Sequence, residues 1–463
     1  MNADRQLEAA LRIVETLRAQ GHAAYFAGGC VRDLLLGRTP SDYDVATSAT
    51  PETVLAMFPR TFAVGAHFGV VLVAPEAGNA DFVTEVATFR SDLAYSDGRH
   101  PDGVRYTKTA EEDVARRDFT INGLLLDPLR PLRGGGLLGE CGGDAKSLRA
   151  AVLDFVGGLD DLDAGLLRAI GRPEQRFEED HLRMARGVRF AARFGFEIEA
   201  ATARAIQSLA PRIHAVSRER VRDELTKMLT EGHADRAFEL LDATGLLAEV
   251  LPEIARMKGV EQPPQYHPEG DVWAHLLRAL AQLPPGCPAT LAWGALLHDV
   301  GKPATFRRAP DRIRFDGHAE IGAAMAAEVC RRFRFSNEET RQVVALVENH
   351  MRFMDVERMK TSTLKRFFRL EHFDEHLELH RMDCLAASGN LEHWRFVSER
   401  RAEMPEETVR PKPLITGREL IAAGYRPGAQ FRVMLRAAED AQLEGAVATA
   451  NEALEWVRAR FPL

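Results

Sequence analysis

The chain opens with Leu7, Leu11, Val14 and Leu17 set among charged residues, the three- and four-residue spacing of an amphipathic helix. That spacing predicts a helix over residues 5–20, stopped by Gly21. A short apolar run over 23–27 follows, then Gly28-Gly29, then a second helix beginning near Val31. Tyr43, Val45 and Ala46 predict a strand that carries Asp42 and Asp44 on one face, because strand side chains two apart point the same way. Thr50-Pro51-Glu52 is a helix start, with Thr as cap and Pro in the first turn. Strand-like runs recur at 69–74 and 82–88, and the second carries Glu85, expected beside the Asp pair. Residues 87–106 are polar and read as a loop. Residues 129–150 are Gly-rich and read as an insertion, and 153–173 return a strand and a helix. Helical spacing then continues to about residue 260, a His-rich region begins at 261, and a tail with a Pro-rich start closes the chain.

A chain of 463 residues exceeds one ordinary core. The pattern divides it into an α/β head over 1–155, an all-α neck and body over 156–260, a His-rich domain over 261–400 and a helical tail over 401–463. The net charge of −8 advertises no global affinity for nucleic acid, so an RNA surface must be a local stripe such as Arg183, Arg186, Arg189 and Arg193. Five cysteines without a CxxC pair suit reduced thiols in a cytoplasm. No apolar run reaches membrane-spanning length, and the N-terminus is too charged for a signal peptide. Nothing in the pattern indicates an oligomeric state.

Three groups of residues carry candidate chemistry. Two carboxylates on one strand face repel each other, and a bound cation explains why Asp42 and Asp44 are tolerated there. The Gly28-Gly29 turn lets backbone approach a ligand and aim amide donors at it, with Arg32 on the first helical turn to neutralise phosphate oxygens. Together these read as a metal-assisted phosphoryl or nucleotidyl transfer site. Further on, Arg116 and Arg117 precede an apolar helix on which Asp118 and Asn122, four apart, share a face. In the second group, Asp180 and Arg183 are three apart on an expected helix over 177–196. An ordinary surface ion pair is the plain reading. The sharper one is that Asp accepts from the exocyclic amino group of cytosine or adenine while Arg donates to the adjacent ring nitrogen. The third group is His275, His298, Asp299, His318, His350 and Asp383, in which the adjacent His298-Asp299 pair suits a divalent transition metal or magnesium.

The combined motif GGCVRDLLLGRTPSDYDVAT, followed by RRDFTIN and by EDHLR, resembles the class II tRNA nucleotidyltransferase and bacterial poly(A) polymerase family, a branch of the polymerase-beta-like superfamily. The resemblance implies an α/β head of nucleotidyltransferase type, a small mixed sheet with helices, followed by all-α domains. It implies Mg2+ on Asp42 and Asp44 with Glu85 as a third carboxylate, nucleotide contacts from Gly28, Gly29, Arg32, Arg117, Asp118 and Asn122, and a base template of Asp180 and Arg183 with Arg186 nearby. The partners it implies are tRNA, CTP and ATP, and the activity is addition of C, C and A to a tRNA 3′ end. Addition of A alone, of CC alone, or of poly(A) tails remains open. His181 and Ala185-Arg186 depart from the poly(A) polymerase pattern and tilt the reading toward tRNA. Residues 212–229 resemble the family's neck motif, with Glu219 and Arg222 in structural roles. The His-rich region resembles an HD phosphohydrolase domain. That likeness implies one metal on His275, His298, Asp299 and Asp383 and a second on His318 and His350, or else a degenerate domain that only binds RNA.

Overall fold

The computed structural model describes residues 2–63, 69–75, 82–92, 104–130, 138, 145–265 and 267–462. They form two compact units, residues 1–228 with 236–252 and residues 229–235 with 253–463.

In the first unit, α1 (Asn2–Ala19) ends before Gly21, which takes the left-handed conformation that stops a helix (φ 82°). The chain then runs through β1 (Ala24–Ala27), α2 (Gly29–Leu35), β2 (Val45–Thr47), α3 (Pro51–Met57), β3 (Thr61–Phe62), β4 (Val70–Val73) and β5 (Thr84–Thr88). Next come a hairpin of β6 (Arg90–Asp92) with β7 (Val104–Tyr106), α4 (Ala110–Ala115), a 3-10 turn at Thr120–Asn122, β8 (Leu125–Leu126), α5 (Ala145–Arg149) and β9 (Val152–Leu153). Seven strands make one mixed sheet in the order β3-β4-β5-β2-β1-β8-β9, in which β2 and β5 are parallel and the other pairs antiparallel. The central strands are apolar on both faces, as Phe26, Ala27, Leu125 and Leu126 are all buried, whereas β4 buries only Val71 and Val73. Thr50 caps α3 as expected, accepting from the Thr53 amide.

Four local expectations are corrected. Asp42 and Asp44 precede β2, which begins at Val45, so the pair sits at the end of the ladder where the Asp44 carbonyl accepts from the Ala27 amide (3.0 Å). The alternation survives, with Tyr43 buried between an exposed Asp42 and a half-buried Asp44. Asp118 and Asn122 are not on an α-helix; the 3-10 turn brings them together instead. The helix expected over 177–196 is two helices, α7 (Pro173–Glu179) and α8 (Leu182–Phe194), after α6 (Gly158–Ala164). Asp180 interrupts them because its side chain accepts from the Leu182 amide (3.0 Å), competing with the helical ladder. A parallel pair of β10 (Leu166–Leu167) and β11 (Glu197–Ile198) also lies within the stretch read as wholly helical. Most of the 87–106 loop and of the 129–150 insertion lies outside the described residues.

The second unit is helical apart from a short hairpin, Arg307–Arg308 with Ile313–Arg314. Its His-rich part packs helices Val272–Leu280, Ala289–Leu297, His318–Arg332, Asn337–Asn349 and Phe373–Ala386 around fully buried Trp293, Leu296 and Leu346. Gly301 meets Gly322 so closely that a Cβ on Gly301 would stand 2.2 Å from the His318 carbonyl oxygen, which is why the turn after His298-Asp299 needs glycine. A second cluster gathers Phe353, Phe367, Phe373, Val397 and Val409, and the tail has its own core of Ile415, Leu420, Met434 and Val457.

Candidate active sites

Parallel pairing of β2 with β5 sets Val45 opposite Val86, so the residues just before them, Asp44 and Glu85, emerge at the same edge. Their charges are felt. Burial, then Glu85, then Asp42 push the Asp44 carboxyl up to about 7, and burial with Asp42 raises Glu85. Such a cluster fits a cation, which would remove the repulsion that the chain itself leaves standing. Its oxygens are not drawn together in advance: among the described residues, the ligand groups lying within 4.8 Å of one another are all in the second unit.

Gly28 turns from β1 into α2 with φ 69°, and Arg117 comes so close that Nη1 would lie 3.0 Å from a Cβ there. Arg117 is held by Asp113, whose Oδ2 accepts from its Nε and Nη2 (3.3 and 3.0 Å) while Oδ1 takes Arg116. Arg32 is otherwise disposed than expected. It is buried, donates to Asp33 Oδ1 (2.8 and 2.9 Å) and Asn122 Oδ1 (2.5 Å), and stacks 4.4 Å from the Phe194 ring centroid. Arg32 therefore braces the glycine turn from within and is not an open phosphate ligand. The bracing continues: Asn122 donates to Asp118 Oδ1 (3.1 Å), and Asp118 Oδ2 receives the Nε and Nη2 of Arg186 (3.0 and 2.8 Å). Burial opposes the charge on Asp118, but Arg186 and Asn122 outweigh it and hold the carboxyl at about 2. The glycine turn and α8 are thus one hydrogen-bonded piece.

Asp180 and Arg183 do not pair with each other. Asp180 is held by Arg220, a residue the sequence did not single out (Nη2 to Oδ2 2.7 Å, Nη1 to Oδ1 3.3 Å). Arg183 directs Nη1 to Glu179 Oε2 (2.5 Å) and the Arg176 carbonyl (3.0 Å), and Nη2 to the Arg116 carbonyl (3.2 Å). Both side chains are fixed by third parties. Asp180 keeps acceptor lone pairs and Arg183 keeps its Nε edge, three residues apart across the junction of α7 and α8.

In the second unit all six expected ligands converge. His275 Nε2 lies 3.4 Å from His298 Nε2, 3.0 Å from Asp383 Oδ1 and 3.7 Å from Asp299 Oδ2. His318 Nε2 and His350 Nε2 are 3.2 Å apart and stand 3.6 and 3.8 Å from Asp299 Oδ1. Asp299 thus faces both halves, one oxygen to each, as a bridging carboxylate does. Lys302 Nζ contacts Asp299 Oδ2 (2.7 Å) and Gln262 Oε1 (2.7 Å), and Glu269 binds His275 Nδ1 (2.7 Å) and His267 Nδ1 (2.9 Å). The sequence reading did not single out these four as partners, although Lys302 stands three residues after Asp299 within LLHDVGKP and His267 and Glu269 fall within HPEGDVWAHLL. The buried imidazole and carboxylate donors fit divalent metal ions in both halves.

A mixed sheet with an acidic edge, a glycine turn and an arginine-braced helix defines a nucleotidyltransferase head, here on a chain that also carries a two-centred His/Asp domain. Comparison with known proteins agrees. Residues 24–168 match the poly A polymerase head domain, 195–258 the probable RNA and SrmB-binding site of polymerase A, and 273–387 the HD domain. The chain thus carries matches to all three domain models in this order, and both the head and the HD domain imply dependence on divalent metal. A CCA-adding enzyme of Geobacillus kaustophilus is 38% identical over 279 residues, 59% of this chain and 63% of its own length. One from Lactobacillus gasseri is 37% identical over 287 residues, 61% of this chain and 66% of its own. The alignments thus span less than two thirds of these relatives. The crystal structure of the Bacillus stearothermophilus CCA-adding enzyme in complex with CTP has TM-score 0.73 at 26% identity, covering 98% of this chain and 97% of that one. A Thermotoga maritima CCA-adding enzyme complexed with tRNA shares the fold (TM-score 0.58, 18% identity, 98% and 95% covered).

Proposed function

We propose that this chain adds C, C and A to the 3′ end of tRNA from CTP and ATP, with Mg2+ in the head and release of pyrophosphate. The observation that carries the reading is the separate anchoring of Asp180 and Arg183, which do not neutralise each other and so leave one an acceptor and the other a donor, three residues apart at the start of α8. Cytosine and adenine present an amino group beside an unprotonated ring nitrogen and satisfy both edges. Uracil and guanine present a carbonyl beside a ring N–H, and mispairing of this kind costs about 1–3 kcal/mol per contact. Asp42, Asp44 and Glu85 are the residues that would hold the metal, which when bound lowers the pKa of the attacking 3′-hydroxyl and offsets triphosphate charge. Gly28 lets backbone approach the phosphates, and Arg117, aimed by Asp113, supplies a cation beside that turn. The names of the curated relatives and the CTP complex support the same substrates. The described cysteines, Cys30, Cys287, Cys330 and Cys384, are all free thiols, in keeping with a cytoplasmic setting.

The test is Mg2+-dependent incorporation of labelled CTP, ATP, UTP and GTP into tRNA transcripts ending at the discriminator base, at C, or at CC. Addition of C, C and A followed by arrest is expected. Incorporation of A only onto CC ends, of CC only, or long A tails on any RNA would each replace the reading with the corresponding narrower or broader enzyme.

The convergence of six candidate ligands, five of them buried and Asp383 half-buried, favours a second activity, hydrolysis of a phosphomonoester or 2′,3′-cyclic phosphate by the HD domain with a divalent transition metal. His275, His298, Asp299 and Asp383 would hold one ion and His318, His350 and Asp299 the other. A domain kept only as an RNA-binding body has no use for such donors, most of them buried at a cost in solvation.

A further inference from the structure

The four histidines of the HD centre are not equivalent. A neutral imidazole that offers Nε2 to a metal carries its proton on Nδ1, and the group accepting that proton fixes both tautomer and ring orientation. Three of the rings use the same acceptor, the backbone carbonyl three residues earlier: His298 to Ala295 (2.8 Å), His318 to Phe315 (2.9 Å) and His350 to Val347 (2.6 Å). His275 differs. Its Nδ1 meets the carboxylate of Glu269 at 2.7 Å, and the Glu269 side chain is wholly buried. The same oxygen, Oε1, also takes Nδ1 of His267 at 2.9 Å, while Oε2 is buried without a hydrogen-bond partner among the described residues. A fully buried carboxylate with one bare oxygen is costly to keep, and a backbone carbonyl holds the equivalent proton at the other three rings.

Resting on the reading of this domain as a metal centre, we propose that Glu269 is a positioning residue that makes His275 the strongest ligand of that centre. A carboxylate behind an imidazole withdraws the Nδ1 proton more than a carbonyl does and raises the basicity of the opposite nitrogen. His275 Nε2, the atom so strengthened, is the one that faces His298 and Asp383. His267 serves as the second anchor that keeps Glu269 from swinging away.

The test is Co2+ titration of the full chain, followed by the visible ligand-field absorption of the bound ion, with His298→Ala as the blank that subtracts cobalt bound elsewhere. Wild type, Glu269→Gln and Glu269→Ala are compared, with circular dichroism melting to confirm the fold. Loss of this kind of partner weakens metal binding by about 10–100-fold. We expect that loss in Glu269→Ala and a smaller one in Glu269→Gln, which keeps an acceptor but not the charge. If Glu269→Ala does not fold, Glu269→Gln decides alone. A folded variant that binds Co2+ within twofold of wild type overturns the role of Glu269 and leaves the metal centre standing. Absence of any wild-type band that His298→Ala removes overturns the metal centre and this proposal together.

Discussion

Replacing Glu85 with Gln should stabilise the metal-free protein, and only at high pH. Asp44 titrates at about 7, above the usual carboxylate value, so between those limits the folded state binds a proton that the unfolded chain does not. Stability must then fall as pH rises through that window, the reverse of an ordinary salt-bridged Asp. A rise from a usual value near 4 to about 7 corresponds to a ceiling of roughly 4 kcal/mol, shared among all its causes. Burial comes first and Glu85 second, and one partly solvated carboxylate acting through a high effective dielectric accounts for about 1 kcal/mol. In EDTA, Glu85→Gln should melt about 2–4 °C higher than wild type at pH 8, with the gap closing toward pH 5, where Asp44 is protonated in both proteins. Saturating Mg2+ should reverse the order, because the cation gains from the third carboxylate what the apo protein loses to it. A gap that is equal at pH 5 and pH 8, or a less stable variant at pH 8, would refute the idea that these carboxylates form one repelling cluster.

Arg186→Ala removes both donors to Asp118 Oδ2 and leaves a buried carboxylate half-served, a change of the kind that costs about 3–5 kcal/mol. Because Asp118 is held at about 2, its stabilisation is present near neutrality and fades as pH falls through that value, so denaturation curves should show the largest loss near pH 7 and a smaller one in acid. Asp180→Ala should relax base choice more than it slows addition, read as the ratio of kcat/KM for CTP over UTP. Arg220→Ala should move the same ratio in the same direction, and an unchanged ratio in both would reject the template.

What the sequence made legible follows from where the physics is local. The Thr50 cap, the stop at Gly21 and the six His and Asp side chains that converge in the HD domain lie within motifs whose spacing is fixed by the turn or helix they occupy, while the mixed sheet followed from the family resemblance. What it hid are contacts between distant segments. Arg220 reaches Asp180 across forty residues, and Arg32 spans ninety to reach Asn122 and so braces the turn instead of facing outward. The break at Asp180 was legible in principle, since Asp beside His is weak helix interior and a ready cap, but apolar periodicity on both sides reads through it. Glu269 lies six residues before His275, and the chain between them must turn into a helix before the two can meet.

The two candidate metal centres in this chain solve opposite electrostatic problems. In the head, Asp42 is exposed, burial and mutual repulsion raise both Asp44 and Glu85, and among the described residues Arg117 is the cation that opposes the rise at Asp44. That arrangement leaves its stabilisation to what arrives, an ion together with a nucleoside triphosphate, and under the proposed function suits a site that lets pyrophosphate go at every turnover. In the HD domain the charge is balanced before any ion comes. Lys302 and the imidazoles of His298 and His275 hold Asp299 well below the usual carboxylate range despite its burial, and His275 likewise holds Asp383 low. An ion entering there must displace protons, so its binding should be slow and weaken as pH falls, while four imidazoles and two carboxylates offer it a stronger donor set than the carboxylates of the head. Dialysis against a mild chelator should therefore empty the head first, and nucleotide addition should recover on adding Mg2+ while the HD-bound metal remains.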